Sequence, residues 1–445
     1  MRWQAPLLLL LLLLASATAQ TTDRSALTLA AEVEAIAKGQ ELWPGFEPLK
    51  IPLAVYDGSS TYLFRHPDPP PEFQREPDFA IHSGRHPAMT ANTSIEIGGV
   101  LTATILLDQL QTDGTLLDLA ATAIHESFHV FQSEHHVDWY GNVIDLFTYP
   151  SANGELLAQR RLETEALRRA MVEESVTDRA CWAGVALHIR QDRFAALDSI
   201  HAAYERGLEL NEGLATYVEK RVHGTKDSGI PPEGYSAEGI RQRGYDVGLA
   251  WALLLDDFAP GWQDRLEKDD DQFLDVLLHE ALPAPASADC EFTADEVAEQ
   301  EQRARDDAAR LLDRQQQYRT DFEAAPGWSL VIEAAAGRPF WPQRFDPSNM
   351  HIVTGGVLHT RFIRLGNECG SLELIDRQVL TESAGDHPLF DGITRVVLTG
   401  LPGRPELAVQ GDEITLELAG CSASFKPATL SQREQVVVVT LQTSE

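Results

Sequence analysis

The spacing of apolar positions changes character several times along the chain. Ala26 to Ala37 repeats at helical spacing. Residues 51–110 mix short strand-like runs with Pro-rich loop, and Pro67, Pro69, Pro70 and Pro71 mark an extended linker or surface loop. Ile95 to Leu107 reads as strand, rich in β-branched residues and interrupted by Gly98-Gly99. From Leu116 to Ser133 the period becomes helical, and helical signals cover much of 155–222, then 236–258 and 271–282. Residues 293–323, rich in Glu, Gln, Arg and Ala, predict a long exposed helix. Beyond about Pro342 short β-branched runs take over: His351 to Arg364, Leu372 to Leu380, Thr394 to Leu398, Glu413 to Leu418 and Val436 to Leu441. The predicted fold class is α+β. A mainly helical region, 20–342, carries a short mixed sheet near its N-terminus, and a small all-β, sandwich-like domain follows at 343–445.

Composition narrows the partners. The chain has 445 residues, 43% hydrophobic and 23% charged, which is ordinary for a globular protein. Its formal net charge is -32. Such a surface repels polyanions, so nucleic acid and anionic membranes are not expected partners. Solubility is the simplest reading of the acidity.

The first residues carry an export signal. Arg2 precedes an apolar run from Leu7 to Leu14, and Ala17-Thr18-Ala19 offers a small-residue cleavage site. The run is too short to span a bilayer. Residues 1–19 are therefore read as a signal peptide, the mature chain as beginning near Gln20, and the destination as secreted or periplasmic, with no membrane insertion. In an oxidising compartment the four cysteines predict two disulfides, and position favours Cys181–Cys290 and Cys369–Cys421. None has CxxC spacing, so they do not read as metal ligands.

One motif carries chemistry: His125-Glu126-Ser127-Phe128-His129. It lies in a helical pattern, so its histidines fall on one face, a turn apart. Two imidazole nitrogens so placed can reach one ion at about 2.0–2.1 Å. Glu126 then points beside the metal, where it can take a proton from a water. A third ligand is needed. His135 stands at metzincin spacing, but Gln132 occupies the position where that motif turns on a glycine. Glu212 is the stronger candidate.

Glu212 sits in Asn211-Glu212-Gly213-Leu214-Ala215-Thr216-Tyr217-Val218-Glu219. This segment, downstream of HExxH, resembles the third-ligand helix of aminopeptidase N-type gluzincins, zinc metallopeptidases. Arg243-Gly244-Tyr245-Asp246-Val247-Gly248 looks like the same family's tyrosine segment. The resemblance covers about 95–260 and implies a zincin-like catalytic domain with one Zn2+ per chain. Its ligands would be His125, His129 and Glu212. It also implies peptide-bond hydrolysis on a peptide or protein substrate, with Glu126 as general base and Tyr245 as oxyanion donor. The stretch between His129 and Glu212 is long for the family, so an inserted helical segment is expected. Glu96-Ile97-Gly98-Gly99-Val100-Leu101 lacks the family's amino-terminus-gripping glutamate pattern, which leaves endo- against exo-cleavage open. Two other readings stay open: an inactive zinc-binding scaffold, and a binding or adhesion protein acting through the β-rich domain. Substrate specificity and oligomeric state are not legible.

Overall fold

A computed structural model describes residues 25–109, 114–283, 290–346 and 349–443. The signal segment read at 1–19 lies outside them. The fold is α+β, as expected. The chain divides into two compact units, Met1–His135 with Val218–Thr225, and His136–Tyr217 with Lys226–Glu445.

In the first unit, helix α1 (Ala26–Gly39) starts at a capping box in which Ser25 and Thr28 satisfy each other's backbone N–H. Six strands follow: β1 (Leu53–Tyr56), β2 (Ser60–Phe64), β3 (Gln74–Arg75), β4 (Phe79–Ser83), β5 (Thr93–Ile97) and β6 (Val100–Leu106). They form a mixed sheet in the order β3-β4-β2-β1-β6-β5, with β1 and β6 parallel. Gly98 and Gly99 make the β5–β6 turn at φ 58° and 78°, a left-handed pair that favours glycine in a two-residue hairpin. Helix α2 (Leu116–His135) buries Leu119, Ala120, Ile124 and Phe128. The Phe128 ring sits edge-on to Trp43 and Phe46, at 5.4 and 5.1 Å between centroids. That aromatic packing fixes the rotation of α2 about its axis.

In the second unit the helical stretch is cut by polar caps. Asn153, Ser175 and Asp198 each accept backbone N–H groups at the starts of α3 (Gly154–Val172), α4 (Val176–Ala196) and α5 (Ser199–Leu208). These three helices lie in the chain between the HExxH segment and Glu212. A π-helical turn, Glu209–Gly213, leads directly into α6 (Leu214–His223), which supplies Val218 onward to the first unit. Helices α7 (Ile240–Phe258), α8 (Gln263–Leu266), α9 (Leu274–Ala281) and α10 (Ala294–Glu323) follow. The last is the long helix expected at 293–323, opened by a capping box of Thr293 and Glu296.

The β-rich region begins at β7 (Trp328–Glu333) and continues as β8 (Trp341–Phe345), β9 (Met350–Val353), β10 (Gly356–His359), β11 (Phe362–Asn367) and β12 (Gly370–Ile375). Then come β13 (Val379–Ser383), β14 (Ile393–Leu401), β15 (Leu407–Gln410), β16 (Glu413–Leu418), β17 (Cys421–Phe425), β18 (Ala428–Arg433) and β19 (Val436–Leu441). One sheet runs β18-β19-β7-β14-β13-β10-β9 and the other β15-β16-β17-β12-β11-β8. Ile332 and Val396 of the first share one core with Ile363 and Leu372 of the second, as in a sandwich. Two of the expected runs are divided. Gly355, at φ 76°, turns the chain inside 351–364, and Asp376, at φ 51°, turns it inside 372–380.

Cys181–Cys290 forms, as expected. Cys369–Cys421 does not: both are buried free thiols. The register explains why. Along the β12–β17 pair Gly370 faces Phe425 and Leu374 faces Cys421, so the two sulfurs sit at opposite ends. At about 3.3 Å per residue that separation far exceeds the roughly 7 Å a disulfide can span.

Candidate metal centre

The HExxH residues lie on the buried part of α2. His125 and Glu126 are each 8% exposed. The two histidines meet through their Nε2 atoms, 3.1 Å apart. Each ring's other nitrogen is engaged. His125 Nδ1 lies 3.1 Å from the Glu219 carboxylate, and His129 Nδ1 lies 2.8 Å from the Gln132 amide oxygen. If each Nδ1 carries the ring proton, both Nε2 atoms are free to bind one ion. Two nitrogens bound to one tetrahedral ion at about 2.0–2.1 Å would lie about 3.3 Å apart. The pair therefore fits a metal.

Burial pushes the Glu219 carboxyl up, but the hydrogen bond and charge of His125 outweigh it, and its pKa ends below the ordinary value. Glu219 is thus a carboxylate beside the His125 ring, where the outer partner of a metal-bound imidazole usually stands. In the sequence Glu219 stands out only as a motif match. Its seven-residue offset from Glu212, two turns along one helical run, was the available signal. Gln132, which in the sequence only stands where a metzincin turn needs glycine, contacts the His129 ring.

Glu212 lies in the π turn and is 8% exposed. Its carboxylate accepts from Arg241 Nη2 at 2.7 Å, and Arg241 also donates to the Tyr245 hydroxyl at 3.1 Å. Burial first, then the negative charge of Glu212, pushes the Tyr245 phenol well above its ordinary pKa, against the opposing Arg241 charge. Tyr245 is therefore a protonated donor at neutral pH. The structure thus brings together His125 with His129, and separately Glu212 with Tyr245.

The π turn is held from beneath. Glu209 takes two hydrogen bonds from Arg190, at 2.9 and 2.6 Å. Gly213 meets Gly248 of α7 so closely that a Cβ on Gly213 would fall 2.6 Å from the Gly248 Cα. No protein-family model, curated protein or solved structure matches this chain.

His135 and His136 have other neighbours. The His135 ring packs on Phe131, and His136 lies between Asp270 and Glu267 while stacking on Trp139. In the β-rich region, Phe425 is buried against Phe340 and Phe390 packs edge-on to Phe345, so both serve the core.

Proposed function

We propose that the protein is an exported zinc-dependent metallohydrolase of the gluzincin type, cleaving peptide bonds in a zincin-like catalytic domain. The observation that carries this reading is the facing pair of His125 and His129 Nε2 atoms, each ring fixed through its Nδ1. Glu212 is the proposed third ligand. It stands two turns before Glu219 in one continuous helical run, on the same face, and Glu219 is the carboxylate on His125. The π turn at Glu212 supports the reading, since such turns recur at functional sites. A disulfide between Cys181 and Cys290 suits an oxidising compartment.

When bound, zinc would supply a Lewis acid and a water of lowered pKa. Glu126 accepts the proton of the attacking water and later passes it to the leaving amine. Tyr245 donates a hydrogen bond to the oxygen on which negative charge develops. Gln132 and Glu219 hold the two imidazoles in the tautomer that binding requires.

The test is Glu126→Gln assayed on a quenched-fluorescent peptide library. Turnover should fall by at least about 100-fold, as loss of a general base predicts, with metal content unchanged. Full activity in Glu126→Gln would refute the mechanism.

A further inference from the structure

One charged side chain beside Glu212 and Tyr245 has no task in the proposed reaction. Arg241 stands in the first turn of α7, one turn before Tyr245, and its side chain is 54% exposed. Its Nη2 donates to Glu212 at 2.7 Å and to the Tyr245 hydroxyl at 3.1 Å. Nε and Nη1 have no acceptor among the described residues, on a side chain open to solvent.

Fold stability does not account for this arginine. A cation in the first turn of a helix opposes the macrodipole, and that turn of α7 holds no acidic side chain. An ion pair with one partner this exposed adds little, and Glu212 is the one carboxylate Arg241 meets among the described residues. In the proposed centre Glu212 is a metal ligand, so its charge no longer cancels that of Arg241. A guanidinium is then left beside the phenol proposed to meet the reacting carbonyl, in a chain whose formal net charge is -32. Carboxylate is the acceptor that matches a guanidinium best among the groups a peptide carries.

We infer that Arg241 sets the substrate class by binding a carboxylate of the peptide within about two residues of the cleaved bond. This rests on the hydrolase reading. Reach sets the position. Nη2 is one hydrogen bond from the Tyr245 hydroxyl, and each extended residue advances a chain by at most ~3.3–3.6 Å, so the guanidinium serves residues next to that bond rather than remote ones. The carboxylate has two sources, the C-terminus of the peptide or an acidic side chain, and amidation tells them apart.

The experiment compares matched peptides: free against amidated C-terminus, and Asp against Asn at each position flanking the cut. On wild type, kcat/KM should be higher by about 10-fold for a carboxylate member, as loss of a hydrogen bond to a charged group predicts. A gain from the free C-terminus assigns the terminal carboxylate, and a gain from Asp assigns an acidic side chain. In Arg241→Gln, with zinc content at the wild-type level, each pair should converge. A second arm needs no turnover. Fluorescence anisotropy of the labelled peptides on Glu126→Gln should show the same preference, and Glu126→Gln combined with Arg241→Gln should lose it. If Arg241→Gln fails to fold or to hold zinc, Arg241→Lys decides: it keeps the charge without the planar donors, so the preference should weaken, and an unchanged preference overturns the inference. Turnover with no carboxylate preference, or a preference that survives Arg241→Gln, overturns it while the hydrolase reading stands. No turnover on any peptide refutes that reading, and this inference with it.

Discussion

His125 shows how one side chain links fold to chemistry. Its Nδ1 sits on Glu219, and its Nε2, the proposed ligand atom, faces His129. Replacing Glu219 by Ala should weaken zinc binding by about 10–100-fold in a chelator competition, because the ring loses its orienting partner. Unchanged affinity would remove Glu219 from the account. His136 gives a separate, pH-dependent test. Burial lowers its pKa, but the hydrogen bonds its ring donates to Glu267 and Asp270 more than offset this, so it rises above 6.5. A histidine with a raised folded pKa stabilises fully below its unfolded pKa and loses that contribution as pH climbs through the folded value. Urea unfolding should therefore separate wild type from His136→Gln most at pH values below 6.5, with the gap closing on the alkaline side. A gap that does not change with pH would contradict this.

Between elements, charge and close contact position Glu212. Glu163 is buried among Arg190, Arg193 and Arg243, and Arg193 also binds Glu205 at 2.6 Å. Arg193→Met would leave Glu163 and Glu205 short of a counter-charge in a dry interior. Denaturant titration should show a loss of about 3–5 kcal/mol, and a loss under 1 kcal/mol would mean the network relaxes freely. At the π turn, a Cβ added to Gly248 would lie 2.7 Å from both the Glu209 carbonyl oxygen and the Gly213 Cα. Gly248→Ala should therefore destabilise the protein by about 1–3 kcal/mol and weaken zinc binding. Wild-type stability and affinity in that variant would argue against the contact. Much of this level was legible beforehand. The helices around HExxH and Glu212 follow from apolar period, and Gly98-Gly99 marks a turn. The ion network was not legible, because composition does not say which arginines and glutamates of α3, α4, α5 and α7 face inward. The Cys369–Cys421 pairing failed for a similar reason: strand register, absent from cysteine spacing, puts the sulfurs at opposite ends of β12 and β17.

At the level of the whole molecule, one covalent link ties distant parts of the second unit. Cys181 and Cys290 are 109 positions apart. Opening a loop of that size should cost about 3–5 kcal/mol, so reductant should lower the thermal midpoint by several degrees. Thiol labelling of the unfolded, unreduced protein should find Cys369 and Cys421 free; finding four blocked cysteines would contradict the fold. No helix among the described residues is long and apolar enough to cross a membrane. The central claim is that this chain holds one zinc through His125, His129 and Glu212. Elemental mass spectrometry of the purified wild type and of Glu212→Ala tests it most directly. The account predicts about one zinc per wild-type chain and little or none in the variant. Full zinc occupancy in Glu212→Ala, or no metal in the wild type, would contradict it.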